Sequence, residues 1–289
     1  MKQFQQHQRL IKQRSLLSVA IAVCIALVIP LLHSPLTSAR PSFSPSSLEN
    51  LLAKLPPPRP HPLPLRLSQW QDPTHSGDYF DQIQPAIVGA LIWSTFPITV
   101  YVQPPTETEN TNPFTAKRAK TWVLAIEKAV QEWNAYLPLK QVAQENADIT
   151  ILRSTPPIRV SDRPQPSSSD APETVSPQKP HPLPTLRARS AETRFDLYAK
   201  KPTLNSQPQL AHRMTIYIRP DQAADYLQAA ARHELGHALG IWGHSPQPTD
   251  ALYRSQVRNP AKISARDLNT LKRVYEQPTR LGWEMPFQK

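Results

Sequence analysis

Two histidines four residues apart enclose a glutamate in the run His233-Glu234-Leu235-Gly236-His237. On a helix, residues spaced by four project from one face about a turn apart, so both imidazoles can reach a single ion. Glu234 is turned around the helix from His233, close enough to that ion to take a proton from a water without itself being a ligand. Zinc at such a site lowers the pKa of water towards neutrality and polarises a carbonyl, while the carboxylate passes the proton to a leaving amine. The donors have to be histidine and carboxylate. The one cysteine, Cys24, lies in an apolar N-terminal run, so neither a thiolate zinc site nor a disulfide framework is expected.

The residues after the motif sharpen it. Gly240 stands three positions past His237, where a helix needs a residue that can turn left-handed. Gly243, His244 and Ser245 follow, and three of the six glycines in the chain (Gly236, Gly240 and Gly243) lie in this stretch. A helix stopped by glycine, then a third histidine on the reversing chain, brings three ligands together and leaves a fourth position open. His244 is therefore the expected third ligand, with Asp250 as its competitor. A glutamate from a downstream helix is the other arrangement such a motif allows, and only Glu276 and Glu284 could supply it. Tyr253 either packs the turn or helps to stabilise an oxyanion. His212 and Arg213 flank a strand and are expected to be solvated, while His61, His75 and His181 sit in loop or Pro-rich segments with no specific role.

The elements that must position these groups read as a mixed α+β domain. Residues 93–103 have the alternation and β-branching of a strand, with Pro97 placing its start after the proline or the strand at an edge. A helix is predicted over 115–136, where Trp122, Ile126, Ala129, Val130 and Trp133 share a face and Pro138 ends the run. Strands follow at 147–152, 194–198 and 213–219. Between the first two of these, residues 154–190 are rich in Pro and Ser and read as a disordered insertion. The motif helix is expected from Asp221, whose side chain would cap it, with Asp225 near its positive end. Ser264 caps a last helix through 276, buried along Leu268, Leu271, Val274 and Tyr275. Together they predict a small twisted mixed sheet packed with helices.

At this point the run HELGHALGIWGHS, residues 233–245, resembles the metzincin zinc peptidases, and especially their matrixin-like branch. The likeness covers residues 93–275, interrupted by the Pro-rich insertion. It implies a catalytic domain with His233, His237 and His244 as zinc ligands, Glu234 as general base, and Gly240 as the glycine that lets the chain turn beneath the metal. It also implies that MTIYI, residues 214–218, is the edge strand along which a substrate peptide lies extended. Two departures are visible. The third histidine of the family pattern would fall at Gly243, one residue before His244. Leu252, in Asp250-Ala251-Leu252-Tyr253, stands where the family has a methionine under the metal.

The rest of the chain sets the context. Lys2, Arg9, Lys12 and Arg14 precede an apolar run, 16–32, and Thr37-Ser38-Ala39 offers a small-residue cleavage site. Residues 1–39 therefore read as a signal peptide or, uncleaved, as an N-terminal membrane anchor, and the remainder as exported, secreted or periplasmic. Residues 40–82 read as a Pro-rich linker or propeptide, 83–277 as the zinc peptidase domain, and 278–289 as a tail. The net charge is +11, but Lys and Arg are scattered without stacking aromatics between them, which argues against a nucleic-acid partner. The expected function is that of a zinc-dependent endopeptidase using a metal-activated water and one catalytic ion on a polypeptide substrate. A catalytically silent metzincin-like binding protein of the cell envelope is the alternative from another class, and hydrolysis of a non-peptide amide is the other enzymatic one.

Overall fold

A computed structural model describes residues 52–143, 147–157 and 189–286. The expected signal or anchor lies outside these residues, as does most of the expected insertion. Among the described residues no helix is long and apolar enough to cross a membrane.

Five strands form one sheet in the order β2-β1-β3-β5-β4. They are β1 (Ile98–Val102), β2 (Leu139–Gln141), β3 (Ile149–Leu152), β4 (Ala191–Lys200) and β5 (Gln209–Ile218). β4 runs antiparallel to β5 over ten residue pairs, and every other pairing is parallel. Pro97 does set the start of β1, which begins at Ile98 and lies inside the sheet. The strand carrying MTIYI is not an edge. β5 is held between β3 and β4, and β4 is the outermost strand on that side. Its length explains the difference, since 191–200 pairs along the whole of β5 and covers it.

Two four-residue helices flank β1, α1 (Leu65–Ser68) before it and α2 (Glu107–Asn110) after it. The long α3 (Pro113–Asn134) starts with the Asn112 side chain accepting from the Phe114 amide, and with proline at its first position, where no amide donor is needed. Its buried face is Ala119, Trp122, Ala125, Ile126, Ala129, Val130 and Trp133, spaced by threes and fours. The two tryptophans also donate across the core, Trp122 to the Ile218 carbonyl (3.3 Å) and Trp133 to that of Arg232 (2.8 Å). The second bond joins α3 to α4 (Ala224–Ala238), one residue before His233. Asp221 does not cap α4. Its carboxylate is taken by Arg219, and the cap position is Ala223, with no side-chain bond.

α5 (Ala265–Tyr275) begins with a capping box in which the Ser264 hydroxyl accepts from the Asp267 amide while the Asp267 carboxylate accepts from the Ser264 amide. It buries Leu268, Leu271, Val274 and Tyr275, together with Asp267.

The described part of the expected linker, 52–82, is packed against the domain. Leu67 and Tyr79 belong to the core. Polar side chains of α5 receive the segment: Tyr79 donates to Asp267 (2.6 Å), Trp70 to Asn269 (2.9 Å), and Arg273 pairs with Asp78 (2.8 Å). The C-terminal stretch packs as well. Arg59 and Thr279 exchange main-chain bonds, His61 stacks on Trp283 at 4.1 Å, and Leu281 is buried. The proline content hid these contacts, because short extended pieces tied down by side chains carry no periodicity.

Candidate metal centre

α4 presents His233 and His237 on one face, with their Nε2 atoms 3.1 Å apart. In each ring the other nitrogen, Nδ1, is used by a main-chain carbonyl: Ala251 for His233 (2.9 Å) and Ile241 for His237 (2.7 Å). A carbonyl only accepts, so both Nδ1 atoms carry hydrogen and both Nε2 lone pairs face the common point.

The helix ends where it must for the third ring to join. Gly240 adopts φ +132°, a conformation open to glycine, and the chain turns back with the Ile241 amide bonded to the Gly236 carbonyl (3.0 Å). This places His244 beside the other two, with ring centroids 5.2 Å from His233 and 4.8 Å from His237. One nitrogen from each ring lies within 4.8 Å of the others. A tetrahedral zinc with bonds of about 2.0–2.1 Å needs donor atoms about 3.3 Å apart, so the three imidazoles fit zinc once the wider separations close by up to about 1.5 Å. Burial, then the neighbouring imidazoles, holds His237 well below its usual pKa, and the same causes lower His244 to about 4. Both rings are therefore neutral, with lone pairs free, at ordinary pH.

Asp250 is not brought to this point. Its buried carboxylate accepts from the Ser245 hydroxyl (2.5 Å) and pairs with Arg266 (3.1 Å). Glu276 is exposed at the far end of α5. Among the described residues, the metal-competent cluster consists of the three histidines.

Glu234 is 8% exposed and borders the same cleft. Burial raises its pKa, and the Thr193 hydroxyl, 2.6 Å from Oε2, opposes that shift. Thr193 sits on β4, so the edge strand and the carboxylate meet. No spacing in the sequence points to this threonine, which is 41 residues away along the chain. Asp267 is a second residue whose role was not foreseen. It accepts from the Ala251 amide (2.9 Å) and so holds the turn whose carbonyl orients His233. Its Ser264-x-x-Asp267 pattern was a readable signal for the cap, though not for the turn. His212 is buried, not solvated: its ring lies 3.9 Å from that of Trp93, and its Nε2 has no partner among the described residues.

The cleft has a volume of about 930 Å3 and runs from β4 past the histidines to the loop after Leu252, with Tyr253 on its wall. It brings a metal-competent histidine cluster, a buried carboxylate and the edge strand β4 to one place.

The matrixin family model matches residues 107–276, more than half of the chain. No curated protein matches.

Proposed function

The chain belongs to the matrixin family of zinc metallopeptidases, and from that premise we propose that it is an endopeptidase acting on extended polypeptide. His233, His237 and His244 would hold one catalytic zinc, and Glu234 would be the general base. When bound there, zinc supplies Lewis-acid polarisation of the scissile carbonyl and acidification of a water. Glu234 accepts the proton of that water and returns it to the leaving amine. A burial-raised pKa suits a group that must both take and give a proton near neutrality. Thr193 holds one carboxylate oxygen in place. The outer edge of β4 offers main-chain groups to which a substrate strand can add. The N-terminal basic-then-apolar pattern supports action outside the cytoplasm, as a secreted or periplasmic protein.

The observation that carries this reading is the convergence of three imidazoles beside a buried glutamate that has no ligand role. It is tested with zinc content and casein cleavage of the parent protein and of Glu234→Ala. The expected result is equal zinc in both proteins and cleavage by the parent alone. A parent that holds zinc but cleaves neither casein nor peptides would turn the reading towards binding without turnover.

A further inference from the structure

We propose that residues 80–84, N-terminal to the family match, are a built-in wall of the metal centre that sets the position of His244 through Gly243. The proposal rests on His244 being a metal ligand.

A Cβ built on Gly243 would stand 2.3 Å from the Gln82 carbonyl oxygen, 3.0 Å from its carbon and 3.1 Å from the Ile83 Cα. These are main-chain atoms, so no rotamer change makes room. One residue further on, the Gln84 amide donates to the Trp242 carbonyl (3.1 Å). The loop that delivers His244 is therefore pressed and bonded from behind by this segment, and Gln82 and Gln84 border the cleft themselves. The wall is fixed in turn. The short 3-10 turn Phe80–Gln82 follows Tyr79, which is buried and bonded to Asp267 and Thr270 of α5. On its other side the loop is pinned by the Ser245 amide, bonded to the Leu252 carbonyl (2.9 Å).

This accounts for the lengthened spacing. The place where the family pattern has its third histidine is occupied by the wall, and only a residue without a side chain fits there. The chain runs one residue further, and the imidazole emerges at 244. Residues 80–84 thus belong to the working enzyme, and their removal would release the third ligand and not activate the centre.

Zinc affinity, by chelator competition, and metal-free melting temperature test this on Gly243→Ala, Gln84→Pro and His244→Ala, alone and combined. Gln84→Pro removes the amide donor at an exposed position. Both wall substitutions are expected to weaken zinc binding about tenfold to a hundredfold, while metal-free Gln84→Pro melts close to the parent. In the His244→Ala background neither should weaken binding further. The proposal is overturned if Gly243→Ala folds and binds zinc like the parent, or if the losses persist undiminished without His244. Should Gly243→Ala fail to fold, parent-like affinity in Gln84→Pro overturns it. If His244→Ala itself leaves affinity unchanged, the ligand assignment falls and this inference with it. A loss in His244→Ala without one in the wall variants removes this inference alone.

Discussion

Leu252 closes on Gly236 so tightly that a Cβ on the glycine would stand 2.5 Å from the leucine Cδ2. The turn beneath the histidines therefore packs onto the helix that carries two of them, with no space for a methyl group. Alanine at 236 gains about 1 kcal/mol in helix propensity but meets overpacking worth about 1–3 kcal/mol. Gly236→Ala is expected to lower the melting temperature, and Gly236→Ala with Leu252→Ala to lose less than the sum of the two single losses, a non-additivity that thermal denaturation of the four proteins measures. Leu252→Met keeps the volume and is expected to cost less than about 1.5 kcal/mol. Leucine here is a packing floor, so zinc content should not change.

Thr193 and Glu234 predict a different pattern. The hydroxyl donates to the Glu234 carboxylate and main-chain carbonyl. Thr193→Val is expected to lower kcat by about tenfold, less than the roughly 10²–10⁴-fold that general-base catalysis as a whole contributes, because the carboxylate itself remains. Zinc content should stay at the parent level. Steady-state kinetics beside metal analysis checks this, and a loss of zinc would show that Thr193 acts on the ligand set.

Asp267 links the last helix to the site. Its carboxylate serves Tyr79, Ala251 and Ser264 at once, and Ala251 in turn orients His233. Asp267→Ala leaves several buried donors without partners, at a cost of about 3 kcal/mol or more. Both stability and zinc affinity are expected to fall, as calorimetry and chelator competition would report. A stable variant with lowered affinity would separate the orienting role from the structural one.

What could be read in the sequence follows from where periodicity or fixed spacing exists. The helical stripe from Trp122 to Trp133, the Ser264 cap and the helix face shared by His233 and His237 are local patterns, and each is present in the structure. The sheet order is set by non-local pairing. The ten-residue register of β4 on β5 could not be seen from 194–198 and 213–219 read separately, so the edge was placed on the wrong strand. Residues 40–82 read as a linker or propeptide because Leu67 and Tyr79 are single buried anchors among prolines, and Tyr79 finds its partner, Thr270, 191 residues downstream. Thr193 and the Gln82 carbonyl also meet the site from distant parts of the chain, one of them through a main-chain atom that no residue type reveals. His212 was misjudged for a related reason. Its position next to Arg213 suggested solvent, but alternation along β5 turns one side chain out and the next one in.

That inward histidine predicts a pH dependence of stability. His212 is 3% exposed against Trp93, and burial lowers its pKa from 6.5 to about 3. Between those two values the unfolded chain binds a proton at this residue and the folded protein does not. Stability contributed by neutral His212 is thus fully present above about pH 6.5 and lost as pH falls towards 3, by up to about 1.4 kcal/mol per pH unit. His212→Phe keeps an aromatic ring against Trp93 and cannot be protonated. Urea denaturation of the metal-free parent and variant from pH 7.5 to 4 isolates this contribution, because every other titratable group is common to both. The variant is expected to gain on the parent steadily as the pH drops below 6.5. Parallel curves would mean that His212 is protonated in the fold and finds a partner there.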